Sequence, residues 1–265
     1  WRQAGARGGE ARAAWSERTA GVGEDFQRAL AGELKDGWLN ALNAHKAKCS
    51  EEKPKWATRK ASGEALAVLT EAIPEMIGGS ADLTGSVNTK TPTTEPVTSS
   101  DFSGRYIHYG VREHAMGAVM NGMALHGGFI PYGGTFLVFA DYMKGAMRLS
   151  ALMEQRVVYG LTHDSIGLGE DGPTHQAVET LAMLRALPNF KVYRPCDSVE
   201  TAECWALALH DTYSPSGMVL TRQGVPLQRS AHTDDNLCAR GAYVLADAEG
   251  ARKVTLFATG SEVSI

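Results

Sequence analysis

Apolar positions along the chain follow two alternating rhythms, and the alternation itself predicts an architecture. Phe26, Leu30, Leu34, Trp38 and Leu42 recur every four residues, the spacing of one face of an amphipathic helix. From Trp56 onward, short apolar runs alternate with helical stretches. Helices are expected at about 58–73, 113–126, 136–153, 175–186 and 198–210. Strands are expected where Met76-Ile77 runs into Gly78-Gly79, at 106–109, at 129–132 ending on Gly133-Gly134, and at 157–161, 191–193 and 218–220. Near-continuous apolar strands separated by helices predict an α/β fold, a parallel sheet covered by helices on both faces. In open sheets of this kind ligands sit beyond the carboxyl ends of the strands. Those ends are residues 79–86, 109–113, 132–139, 163–175 and the neighbourhood of Arg222, and most of the unusual polar residues fall there.

The flanks read differently. Residues 1–20 are rich in Ala, Arg and Gly and suit a surface segment; 48–55 and 226–240 are polar and suit linkers. Residues 241–246 and 254–258 begin another strand pair. The division expected is 1–55 as a largely helical linker, 56–232 as the main domain and 233–265 as the start of a second α/β domain. The polar run 86–104 is a long loop, which in a compact domain belongs to function or motion. The chain begins at Trp1 and stops inside an apolar segment, so an excerpt of a longer protein is expected.

Composition narrows the function. A formal charge of −4 over 265 residues argues against a nucleic-acid or polybasic membrane surface. Hydrophobic content of 43% with 21% charged residues makes the chain globular. No apolar run reaches the ~18 residues of a membrane span, and no signal peptide is visible. The four cysteines form no Cys-x-x-Cys pair, which suits reduced thiols in a cytoplasmic protein.

Several residues invite a chemical reading beside a structural one. Glu113 stands just after a strand at a helix start. There it is either an acid favoured by the helix dipole or a carboxylate placed to hold a heterocycle nitrogen. His163-Asp164-Ser165 superficially suggests a hydrolase triad, but consecutive residues cannot take a triad's spatial roles and no Gly-x-Ser-x-Gly elbow is present. His163, Asp171 and His175 match no metal-binding spacing; the glycine-rich loop between them favours substrate hydrogen bonding. Phe136, Phe139 and Tyr142, at i, i+3 and i+6, are core residues or a stacking platform for a planar ring. Arg59, Arg222 and Ser86 are surface residues singly; together they have the chemistry to hold a phosphate.

The stretches RYIHYGVREHAMG, LHGGFIPYGGTFLVFADY and THDSIGLGEDGPTHQ carry a resemblance to the transketolases, with ATRKASG, GGSADLTGS, YRPCD and LTRQG in the family's order around them. The resemblance covers essentially the whole chain. It implies a thiamine-diphosphate-dependent enzyme of three α/β domains, of which this chain holds the linker, the pyrimidine-binding middle domain and the start of the third. The diphosphate and its divalent metal, Mg2+ or Ca2+, then belong to a first domain absent from this chain, and no metal ligand is expected here. By the same resemblance Glu113 contacts N1′ of the aminopyrimidine, Phe136, Phe139 and Tyr142 surround that ring, and Asp82 is a further cofactor contact. His175 lies near the reacting carbon and Asp171 reads a sugar hydroxyl. By the same resemblance Arg59, Ser86, His163 and Arg222 bind the sugar phosphate. The implied reaction is reversible transfer of a two-carbon ketol unit between sugar phosphates in pentose phosphate metabolism, by a homodimer that shares each cofactor between subunits.

Three rivals share parts of this pattern. Deoxyxylulose-phosphate synthase has the same pyrimidine-binding domain, but the His163–His175 motif favours transketolase. Dihydroxyacetone synthase is separated less cleanly. A natural binding subunit of a split transketolase is a third arrangement.

Overall fold

The computed structural model describes residues 1–265. Its centre is a six-stranded sheet built from β1 (Met76–Ser80), β2 (Tyr106–His108), β3 (Ile130–Phe136), β4 (Val158–Thr162), β5 (Lys191–Tyr193) and β6 (Ser216–Leu220). The spatial order is β2-β1-β3-β4-β6-β5, and every pairing is parallel. The strand order reverses between β1 and β3, the kind of crevice where open α/β sheets receive ligands.

Helices cover both faces. The helices in chain order are α1 (Arg2–Thr19), α2 (Glu24–Leu30), α3 (Trp38–Glu52), α4 (Thr58–Ala72), α5 (Thr84–Val87), α6 (Glu113–His126), α7 (Ala140–Leu152), α8 (Thr180–Arg185) and α9 (Ser198–His210). On one face α3, α4 and α9 pack Leu42, Leu66, Leu69 and Trp205 against Tyr132, Val158 and Met218. On the other, α6, α7 and α8 pack Met116, Met120, Met143 and Leu184 against Tyr159, Leu161 and Val219. Val158 and Tyr159 therefore serve opposite cores, as the two-residue period of a strand requires. The Trp205 indole donates to Ser62 Oγ at 2.8 Å, which lets a large polar aromatic sit fully buried.

The elements depart from expectation in several places. The apolar stripe from Phe26 to Leu42 is two helices, because Gly32 and Gly37 both adopt positive φ and break it. Residues 2–19 are helical, in line with the largely helical linker expected, although α1 buries none of its side chains; its Ala and Arg content supplies the propensity. Residues 48–52 complete α3 rather than beginning a linker. β3 continues through Gly133-Gly134 to Phe136, so Phe136 ends a strand, Phe139 closes a short 3-10 turn and only Tyr142 lies on α7. A Cβ at Gly133 would lie 2.8 Å from the Met120 sulfur; glycine here is close approach to α6, not a turn. Residues 175–179 stay irregular, and α8 begins only at Thr180. Residues 241–246 and 254–258 form no strands; they have no sheet neighbour to pair with. No helix is both long and apolar enough to cross a membrane.

The segments flanking the sheet domain are tied to it by buried charge. Glu203 of α9 accepts from Arg229 at 2.6 Å and faces Lys46 of α3 at 3.0 Å, all three side chains being buried. Lys46 also donates to the Asp235 carbonyl at 3.1 Å, and Cys238 N donates to Glu203 Oε2 at 3.1 Å. Burial alone would raise the Glu203 carboxyl; the bonds from Arg229 and Lys46 outweigh it and hold it below the ordinary carboxylate value. Glu203→Ala strands two buried cations and is expected to cost about 3–5 kcal/mol in urea unfolding. Glu52→Ala, which removes the exposed partner of Lys48 at 3.9 Å, is expected to cost less than about 0.5 kcal/mol.

Candidate active site at the carboxyl edge of the sheet

Strand register sets the site. β3 on β4 pairs Phe136 with Thr162, and β4 on β6 pairs Thr162 with Leu220. The next residues, His163 and Thr221-Arg222, therefore leave the sheet side by side. The His163 ring stacks on Phe136 with centroids 3.7 Å apart, and Nδ1 shares a hydrogen bond with Thr162 Oγ1 at 2.8 Å. His163 has φ +58°, a left-handed conformation unusual for a residue with a Cβ.

A row of rings continues outward. Phe139 stacks on Phe136 at 5.5 Å with an interplanar angle of 5°. His175 stands edge-on to both, at 5.8 and 5.3 Å, and Tyr142 lies 5.9 Å from Phe139. Tyr142 is 67% exposed, so it is no core residue. Phe136 is buried and Phe139 half-buried.

Charge gathers beside the rings. Arg59, on the first turn of α4, donates to the Ser86 carbonyl at 2.7 Å, so Ser86 reaches the site through its backbone. Burial, then the neighbouring Arg222, push Arg59 below its ordinary value, while Asp171 opposes them. The same three groups act on His163, which burial first and Arg59 next push down to about 4. The ring is thus neutral near pH 7, a hydrogen-bonding group rather than a cation. Asp171 is exposed on the glycine-rich loop, and Arg222 lies 4.0 Å from the exposed Glu170.

Glu113 opens α6, where the helix dipole favours a carboxylate. It is 7% exposed, and its one hydrogen-bond partner is Thr135 Oγ1 at 3.2 Å. Thr135 immediately precedes Phe136, so this buried acid lies beside the aromatic row. Asp82 follows β1 with φ +62° and touches none of the other candidates; its backbone neighbour Ala81 donates to the Gly134 carbonyl at 3.1 Å, which puts it across the β1–β3 crevice from Thr135.

The edge thus assembles His163, Phe136, Phe139, Tyr142 and His175 by ring contact, and Arg59, Arg222, Asp171 and Ser86 around His163. Glu113 joins through Thr135, and Asp82 stands apart. Sequence reasoning overlooked the supporting polar residues. Thr135 and Thr162 carry a faint signal as hydroxyls in otherwise apolar strand ends. Arg194 lies in the YRPCD stretch that carries the resemblance, but has no role assigned there. It donates to the buried Asp164 at 2.9 Å and meets Glu262 at 2.7 Å, tying the loop after His163 to residues 259–262. No three His, Cys, Asp or Glu side chains lie close enough to hold a metal ion.

A parallel sheet with an aromatic and cationic edge defines an α/β binding domain, and the comparisons give its class: residues 54–228 match the family model described as the transketolase pyrimidine-binding domain. Transketolases of Sinorhizobium medicae and Cereibacter sphaeroides are 54% and 55% identical over the whole chain. The chain spans 38–40% of the length of those relatives. A Pichia stipitis transketolase structure in complex with xylulose 5-phosphate superposes with TM-score 0.81 at 43% identity, over 94% of this chain and 37% of that one. The Leishmania mexicana enzyme gives 0.77 at 44% identity, over 89% and 34%. A split-gene transketolase described as an inactive β4 tetramer gives 0.50 at 30% identity, over 65% and 53%. The chain belongs to the transketolase family, and membership implies thiamine diphosphate.

The lowered His163 makes stability depend on pH with a definite sign. Between about 4 and the ordinary 6.5 the unfolded chain takes up a proton that the folded chain refuses. Stability is therefore lost as pH falls through that window. His163→Gln is expected to shrink the difference in urea midpoint between about pH 7 and about pH 4.5 relative to the parent. An unchanged difference would mean the ring is not held neutral.

Proposed function

We propose that this chain is the pyrimidine-binding portion of a transketolase that moves a two-carbon ketol unit reversibly from a ketose phosphate of the xylulose 5-phosphate type to an aldose phosphate. The division 1–55, 56–232 and 233–265 is part of the same reading. The observation that carries it is the gathering of Arg59, Arg222, His163 and Asp171 around one point of the sheet edge, next to a stacked aromatic pair and a buried carboxylate. Two guanidinium groups suit a phosphate dianion, and a neutral imidazole with a carboxylate suits sugar hydroxyls. The xylulose 5-phosphate complex of the Pichia stipitis relative supports the same substrate class.

The residues fit the cofactor. Glu113 is a buried acid with a single protein partner, and the faces of Phe139 and Tyr142 offer apolar contact for a planar heterocycle. Bound thiamine diphosphate supplies the chemistry that breaks and remakes a carbon–carbon bond beside a carbonyl. Glu113 would hold a proton at the aminopyrimidine N1′ of the bound cofactor, its single protein partner being Thr135. Asp82 is a further cofactor contact at the crevice. His175 and Asp171 orient the sugar hydroxyls near the reacting carbon. Arg59, Ser86, His163 and Arg222 hold the phosphate. The diphosphate and its Mg2+ or Ca2+ are held by a domain outside this chain, and each site is completed across a cytoplasmic homodimer. The chain alone is therefore inert, in keeping with the inactive split-gene relative. That relative also favours, as a second arrangement, a separate subunit carrying the same site.

Two experiments test the reading. In the full-length enzyme, Arg59→Ala or Arg222→Ala is expected to raise KM for phosphorylated donors by about 10-fold or more, with an unphosphorylated donor nearly unaffected. Equal losses with both donors would assign these residues to structure. The 265-residue chain alone serves as the blank and is expected to turn over neither donor.

Glu113→Gln in the same enzyme is expected to lower kcat by about 100-fold or more. Exchange of the cofactor C2 proton with deuterium should slow in parallel, and substrate KM should move much less. Wild-type exchange in the variant would reduce Glu113 to a helix-start acid.

A further inference from the structure

The two arginines repel each other, yet both stand at the same point of the edge. Their chain neighbours explain how. Thr58 precedes Arg59, and Thr221 precedes Arg222; both threonines are fully buried. Thr58 N donates to Thr221 Oγ1 at 3.0 Å, and Thr221 N donates to Thr58 Oγ1 at 2.8 Å. The Thr58 hydroxyl donates to Thr221 Oγ1 at 3.3 Å, and the Thr221 hydroxyl passes its own proton to the Gln223 carbonyl at 2.9 Å. Every donor in this ring has an acceptor, and no hydroxyl proton is shared twice.

Main-chain bonds extend the clasp on both sides. Arg59 N donates to the Thr221 carbonyl at 3.3 Å, and Val225 N donates to the Trp56 carbonyl at 3.1 Å. The start of α4 and the segment after β6, far apart in sequence, are thereby joined residue against residue. The joint is made by the residues that immediately precede the two arginines in the chain. Neither arginine contributes a side chain to it: the Arg59 guanidinium reaches the Ser86 carbonyl and that of Arg222 lies 4.0 Å from Glu170.

We infer that Thr58 and Thr221 form a reciprocal hydroxyl–amide latch that holds Arg59 and Arg222 together as one receptor for a phosphate group. They are positioning residues, acting through the arginines. The inference rests on the phosphate-binding reading proposed above and deepens it.

Chemistry separates the latch from mere packing. Valine reproduces the shape of threonine but has no oxygen, so Thr58→Val leaves the Thr221 amide without its acceptor, and Thr221→Val does the same to Thr58. Serine keeps the oxygen and loses only a methyl. Two readouts follow. In the full-length enzyme, Thr58→Val and Thr221→Val are expected to raise KM for a phosphorylated donor about 10-fold with kcat changed less than about threefold. Thr58→Ser and Thr221→Ser should stay near the parent value, and an unphosphorylated donor should not distinguish the variants. The double valine variant should be little worse than either single one, since each breaks the same joint. In the 265-residue chain, inorganic phosphate should raise the melting temperature of the parent and the serine variants, and much less that of the valine variants.

Valine variants that keep the parent KM and the parent response to phosphate would overturn the latch. If the valine variants do not fold, the serine pair still decides: serine variants that lose phosphate selectivity would show that the methyl groups, not the hydroxyls, hold the joint. A parent chain indifferent to phosphate, in an enzyme that treats both donors alike, would instead overturn the phosphate reading itself.

Discussion

The site depends on one constraint above others, the register of β3 against β4. Pairing Phe136 with Thr162 places the aromatic ring opposite the residue from which His163 departs. Because side chains alternate along a strand, a slip of one residue would send Phe136 to the opposite face and separate it from His163. β4 on β6 repeats the alignment, setting Thr162 against Leu220. Three strands thus end in step, and their first irregular residues become neighbours. A parallel sheet makes this possible because every strand delivers its carboxyl end to the same side.

Around that row, polar groups are paired rather than left to solvent. Thr135 supports Glu113, Thr162 supports His163, and Arg194 occupies the buried Asp164. Each pairing removes a rotamer choice from a residue next to the site, at the cost of desolvating groups that then need each other. Glu203 plays the corresponding part at a distance, joining α3, α9 and the 229–238 stretch through one buried carboxylate. The edge is hydrogen-bonded where it meets the sheet and exposed at Asp171 and Tyr142.

Much of this was legible in the sequence, and the failures have physical causes. The central strands and helices were readable because each is apolar over its full length, and β-ends located the candidate residues. Gly133-Gly134 read as the end of the strand because glycine signals the same way whether it frees the backbone or makes room for a neighbour; only the position of Met120 decides. The stripe from Phe26 to Leu42 kept helical spacing across a break, since periodicity does not register a positive φ at Gly32 and Gly37. Residues 254–258 have strand composition without a partner, and composition alone makes no sheet. The role of Arg194 could not be read although YRPCD was legible, because its partners, Asp164 and Glu262, are distant from it in sequence.

The neighbouring Arg59 and Arg222 have a consequence for the medium in which the protein works. Like charges held together raise the electrostatic energy of the edge whenever no anion lies between them. Dissolved salt acts on such a pair in two opposed ways. Screening over a Debye length of about 8 Å at physiological ionic strength softens the repulsion and steadies the unliganded fold. The same screening weakens the attraction for a dianion arriving from solution. If the pair receives a phosphate as proposed, ionic strength trades thermal robustness against capture of charged ligands, and anions such as sulfate would compete for the same place. On that proposed reading, buffer composition would become a determinant of selectivity, with phosphorylated sugars losing their advantage over neutral ones as salt increases.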